Sequence, residues 1–175
     1  MNLGLFGLIK NRSLLKLKTK GEDKMKEIVL ISCVAKKLEG KHEAYKLYSP
    51  STLFKAHWNY ALKCLKKDPK SEIFILSAKH GVISPFEKIE KYDMTLKTMS
   101  KNDKINWADN VILELAMMFD LKNTKFLILA GKDYYEYLID ILPYYKLIPE
   151  ISLPIGKRVQ WFNNEIKKCQ KKVKE

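Results

Sequence analysis

Residues 26–33 read KEIVLISC, and this stretch decides the fold. Four apolar residues in a row, Ile28 to Ile31, suit a strand buried on both faces rather than the alternating pattern of a strand with one wet side. The pattern recurs twice, as EIFILSA at 72–78 and KFLILA at 125–130. Helical spacing fills the intervals. Leu53, Phe54, His57, Ala61, Leu62 and Leu65 share one face of a segment over 51–67. Ser100 followed by Asp103 resembles a capping box and opens a helix that turns Ile105, Ala108, Val111, Ile112, Leu115 and Phe119 inward. A further helix is expected near Asp133, with Tyr135, Leu138, Ile139 and Leu142 inward, and a last one from Gly156, with Val159, Phe162 and Ile166 inward. Residues 151–153 are expected to form a short final strand. Strands alternating with helices imply parallel crossovers. The expected fold is therefore α/β: a single three-layer domain with a mostly parallel sheet flanked by helices, spanning 25–166.

The chain has 175 residues, enough for one domain, and its 46% apolar content is enough for a packed core. No apolar run approaches the roughly 20 residues of a membrane-spanning helix, so no integral membrane association is expected. The net charge of +13 suggests a polyanionic partner. Its distribution weakens that inference. Residues 1–24 carry +4 and residues 167–175 another +4, which leaves +5 for the body. The only arginines are Arg12 and Arg158, and base readout favours arginine. DNA or RNA contact is thus expected mainly through a basic leader and a lysine-rich tail. The leader reads as an amphipathic membrane-touching helix, as a flexible extension, or as upstream sequence ahead of a more natural start at Met25. Cys33, Cys64 and Cys169 lie far apart in the chain, a pattern that argues against a disulfide scaffold and fits a cytoplasmic protein.

Parallel sheets bind ligands beyond the carboxyl ends of their strands. The three strands end in Ser32-Cys33, Ser77 and Ala130-Gly131, each followed within a few residues by lysine: Lys36 and Lys37, Lys79, and Lys132. Small residues admit a ligand to the backbone, and lysines supply charge for phosphate or carboxylate. Gly131, just ahead of a helix, adds backbone N–H groups. His80 reads either as a turn residue or as an acid–base group of the crevice. Cys33 reads as a small buried hydrophobe or as a nucleophile. The histidines lack ligand spacing, so no metal is expected. Neither GxxxxGK[ST] nor GxGxxG occurs, and no cofactor is expected. Residues 81–96 form a long polar connection in which Tyr92, Asp93 and Thr95 either fold over the crevice as a lid or anchor a surface crossover. Arg158, beside Lys157 at the start of the last helix, either completes an anion clamp or faces solvent.

Four stretches carry a family resemblance: ISCVAKK at 31–37, LSAKHGVISPFEKIEKYDMTL at 76–96, LAGKDYYEYL at 129–138 and IGKRVQW at 155–161. They resemble the peroxide-stress YaaA family and a shorter phage and bacterial group that shares its core. The resemblance covers roughly residues 25–166. It implies an α/β core in which Ser32, Lys36, Ser77, Gly81, Tyr92, Tyr134, Lys157 and Arg158 line one cleft. It also implies DNA binding and protection from oxidative damage, or, as in some relatives, modification of deazaguanine-type bases in nucleic acid. The chain is shorter than YaaA and lacks its inserted helical region. Cys33 stands where YaaA has proline, as in the shorter group.

The leading expectation is a cytoplasmic nucleotide- or nucleobase-binding protein acting in base modification. Lys36, Lys79 and Arg158 would hold the anion, and Ser32 and Ser77 would bond the ligand. His80 or Asp93 would move protons, with Cys33 as a less favoured nucleophile. The rivals are a non-catalytic DNA-binding stress protein and a phage protein that sequesters a nucleotide.

Overall fold

The computed structural model describes residues 25–65, 72–149 and 153–171. Its central strand is β1 (Lys26–Ser32), paired in parallel with β3 (Glu72–Ser77) on one side and β6 (Thr124–Leu129) on the other. Ile28 through Ile31 are buried on both faces, as the unbroken apolar run requires, and each such side chain contributes about 1.5–3 kcal/mol by leaving water. The sheet is completed by β7 (Tyr145–Leu147), parallel to β6, and by β4 (Gly81–Ile83), antiparallel to β3, in the order β4-β3-β1-β6-β7. This is the expected α/β architecture with a mostly parallel sheet.

Residues 151 and 152 of the strand expected over 151–153 lie outside the described residues. The parallel edge beside β6 is formed by β7, at residues 145–147, which the sequence reading did not include. The connection over 81–96 also contains strands. Beyond β4, β5 (Lys88–Glu90) pairs antiparallel with β2 (Lys41–Glu43), with His42 opposite Ile89. Three-residue strands are too short for a period to show.

A short helix α1 (Ala44–Leu47) precedes α2 (Thr52–Tyr60), whose N-cap Ser51 accepts a hydrogen bond from the Phe54 N–H at 3.3 Å. α2 ends in a π turn over Ala61–Leu65. The wider turn shifts the helical phase, so Ala61 and Cys64 face inward and Leu62, expected inward, is 40% exposed. α3 (Lys101–Met118) starts at the expected capping box: Ser100 Oγ accepts from the Asp103 N–H at 3.2 Å and donates to its carboxylate at 2.7 Å. The helix expected near Asp133 is only the turn α4 (Lys132–Tyr135), although Leu138 and Leu142 are buried as predicted. α5 (Ile155–Lys171) buries Phe162 and Ile166 and packs along α2, with Phe162 edge-on to His57 at 4.7 Å. The expected tail from residue 167 is thus helical as far as Lys171. Residues 1–24 and 172–175 lie outside the described residues, so the readings placed on the leader and the end of the tail do too. No helix among the described residues is long and apolar enough to cross a membrane.

The topology positions a crevice. From β1 the chain crosses to β3 on one side, and from β6 it crosses to β7 on the other. Right-handed crossovers leave these adjacent strands toward opposite faces, and their carboxyl-end loops separate between them.

Candidate functional site

A cleft of about 460 Å³ occupies that switch point. Its floor is Ser32 to Lys36 at the carboxyl end of β1 and Gly131 to Tyr134 after β6. The start of α2 (Ser51 to Leu53), the loop residues Met94, Thr95 and Lys97, and Ile155 and Arg158 of α5 form its walls. Four cations stand around it: Lys36, Lys97, Lys132 and Arg158. Arg158 lies over Gly131, where an added Cβ would meet its guanidinium at 3.8 Å, and Nη2 donates to the Leu153 carbonyl at 3.2 Å. α4 has four residues, so anion binding at this end rests on side chains rather than on its N-terminus.

Cys33 sits on the floor, buried, with its Sγ 3.1 Å from the Tyr134 hydroxyl and 3.4 Å from the Ala78 N–H, which donates to it. Its own N–H donates to the Leu76 carbonyl at 2.8 Å, which ties the loop after β1 to β3. Behind this floor runs a buried hydroxyl network. The Tyr92 hydroxyl lies 2.8 Å from Ser77 Oγ and 2.7 Å from the Tyr48 hydroxyl. Ser77 Oγ also accepts the N–H groups of Lys79 and His80, at 3.3 and 3.0 Å, and the Trp107 indole N–H donates to the Ser77 carbonyl at 3.0 Å. Burial, then the neighbouring Cys33, raises the pKa of Tyr48, Tyr92 and Tyr134, so these phenols remain protonated donors. Lys37 lies 4.3 Å over the Tyr92 ring, and burial lowers its pKa.

Of the residues expected at the site, the cleft gathers Ser32, Cys33, Lys36, Thr95, Gly131, Tyr134 and Arg158. Ser77, Tyr92 and Lys37 stand behind its floor as support. Lys79, His80 and Gly81 line a separate depression of about 380 Å³ against α3, with Trp107 and Glu114. The His80 ring meets Tyr92 edge-on at 5.2 Å, and burial, then Lys79, lowers its pKa. Asp93 and Lys157 are exposed and are not among the cleft-lining residues. The strand end at Ser77 therefore supports the cleft from behind, while the ends of β1 and β6 open into it.

Sequence reasoning missed Tyr48 and Trp107, which hold the network, and Lys97 and Ser51, which line the cleft. Ser51 carried a usable signal as an N-cap ahead of an apolar helical face; Tyr48 carried none. Cys64 and Cys169, whose wide spacing in the chain argued against a disulfide scaffold, are joined by a disulfide with Cα atoms 5.9 Å apart. Cysteine usage therefore no longer argues for a reducing compartment. Among the described residues, no group of three His, Cys, Asp or Glu is placed to hold a metal ion.

Comparison with curated proteins and with solved structures gave no match. Nothing in the comparisons links the chain to YaaA. Residues 28–164, which include most of β1, the cleft floor and the Arg158 turn of α5, match a family of unknown function. The chain belongs to that family, DUF6884.

Proposed function

We propose that the cleft binds a nucleotide or nucleobase and that the protein acts in nucleotide or nucleic-acid base modification. The observation that carries this reading is the double character of the cleft. Val34, Leu53, Met94 and Ile155 offer apolar surface for a flat ring, and Arg158, Lys36, Lys97 and Lys132 offer charge for an anionic group. Its volume is in the range of small-molecule sites.

Arg158 and Lys36 hold the anion in this reading, and Ser32 and Thr95 bond the ring substituents. Cys33, with the Tyr134 hydroxyl at 3.1 Å, takes the chemical role that the sequence gave first to His80 and Asp93. The setting is the cytoplasm, where such ligands occur. The test is a thermal-shift screen of the full chain against mononucleotides, deazaguanine bases and short DNA. A ligand that binds only the folded state raises the melting midpoint by mass action. A midpoint raised by a mononucleotide or base supports the reading, and no shift at millimolar ligand contradicts it.

A second reading is a protein that binds nucleic-acid phosphates without catalysis. It is favoured by Lys36, Lys97 and Lys157, which have no acidic partner within ion-pair distance among the described residues. It predicts a shift from DNA alone that disappears with added salt.

A further inference from the structure

We propose that Cys64 and Cys169 form a reversible dithiol–disulfide pair, a redox-sensitive clamp that fastens α5 and thereby holds one wall of the cleft. This inference does not depend on which ligand the cleft takes.

α5 is 17 residues long but fully buries only Phe162 and Ile166, with Val159 and Trp161 partly covered. Its docking rests on a narrow apolar stripe, so a covalent tie has much to add. The tie is well placed. The π turn that ends α2 directs Cys64 inward, and Cys169 lies in the last turns of α5. The Cα separation of 5.9 Å fits a disulfide without backbone movement. The bond joins residues 105 apart in the chain, a loop whose closure removes much entropy from the unfolded state.

The other end of α5 is functional surface, because Ile155 and Arg158 form the cleft wall. Cys169 and Arg158 are 11 residues apart on one continuous helix, about 16 Å along its axis. Holding the far end therefore restrains the near one. The thiol of Cys33, on the cleft floor, is free and buried, and it reports whether that wall is in place.

The oxidant is a small-molecule disulfide such as oxidised glutathione, an anion that the exposed Lys63 and Lys167 attract. One cysteine thiolate attacks the small disulfide, forms a mixed disulfide and expels one small thiolate. The second cysteine thiolate then attacks the protein sulfur of that mixed disulfide and expels the other. The two cysteines lose two electrons in total, the small disulfide is reduced to two thiols, and the two cysteine protons pass to them.

The test uses the full chain. Thiols titrated after denaturation should number one per chain following oxidised glutathione and three following reductant, with the oxidised protein monomeric on a non-reducing gel. The oxidised protein should melt roughly 5–10 °C above the reduced one. Oxidised wild type and the Cys64→Ser/Cys169→Ser variant both retain Cys33 as their single free thiol, which makes their alkylation rates directly comparable. Cys33 should react with iodoacetamide at least about 5-fold faster in the variant, because α5 opens more often. Reduced wild type, with Cys33 modification read by peptide mass, supplies the same comparison should the variant fold poorly. Three titratable thiols after oxidant, a disulfide-linked dimer, or equal melting points and equal Cys33 rates would each overturn the clamp.

Discussion

The Cys33 thiol and the Tyr134 hydroxyl, 101 residues apart in the chain, meet 3.1 Å apart on the cleft floor. Cys33 directly follows the last residue of β1 and Tyr134 lies in the turn after β6, so this contact joins the two strand ends that frame the switch point. Tyr134→Phe keeps the ring against Trp107, 5.5 Å between centroids, and removes only the hydroxyl. Its expected cost is about 1 kcal/mol in urea denaturation, with the same unfolding slope as wild type.

Tyr92→Phe should cost more, about 1–3 kcal/mol. The Tyr92 hydroxyl bonds both Ser77 and Tyr48, and its loss leaves buried polar groups short of a partner. Comparing the two variants by denaturant unfolding separates a floor contact from the hub of the network.

Gly81 has φ +67, and a Cβ there would fall 2.5 Å from Glu114 Oε1. The Glu114 carboxylate is fixed because Oε2 accepts the Val82 N–H at 2.5 Å. Gly81→Ala should therefore destabilise the protein by about 1–3 kcal/mol through backbone strain and crowding together. Adding Glu114→Ala should recover only the crowding part, which a double-mutant cycle in urea measures.

His57 is buried between α2 and α5, and neither ring nitrogen has a hydrogen-bond partner among the described residues. Burial, then the Arg158 charge, lowers its pKa from 6.5 to about 3. The unfolded state therefore takes up the proton first. The stability this group contributes is complete above pH 6.5 and is lost as the pH falls toward 3, by up to about 1.4 kcal/mol per unit. Between pH 6.5 and 5, before most carboxylates titrate, wild type should lose stability on acidification and His57→Leu should lose much less.

What the sequence disclosed follows from the physics of each element. Ile28 to Ile31 and Phe126 to Leu129 are continuous apolar runs because their strands are covered on both faces, and the runs revealed both the sheet and its carboxyl ends. Ser100 and Asp103 marked a helix start through local bonds alone. β7 escaped notice because Tyr145-Lys146-Leu147 is a three-residue edge with no period of its own. Tyr48 and Tyr92 lie 44 residues apart, and Cys64 and Cys169 lie 105 apart. Pairings at such distances are decided by tertiary structure, and one sequence carries no local trace of them. The same reason placed His80 in the cleft by analogy with its neighbours, whereas the β3–β4 turn carries it to the α3 side.

Ligand binding in the cleft is decided by an equilibrium titration of the full chain with a panel of mononucleotides and deazaguanine bases, by calorimetry, beside Arg158→Ala and Lys122→Ala. Arg158 stands in the cleft, and Lys122 lies just before β6, at the opposite end of the sheet. One member of the panel should bind wild type and Lys122→Ala equally and bind Arg158→Ala at least about 10-fold more weakly, the loss of one charged hydrogen bond. No binding by any member at millimolar concentration, or equal binding by Arg158→Ala, would contradict it.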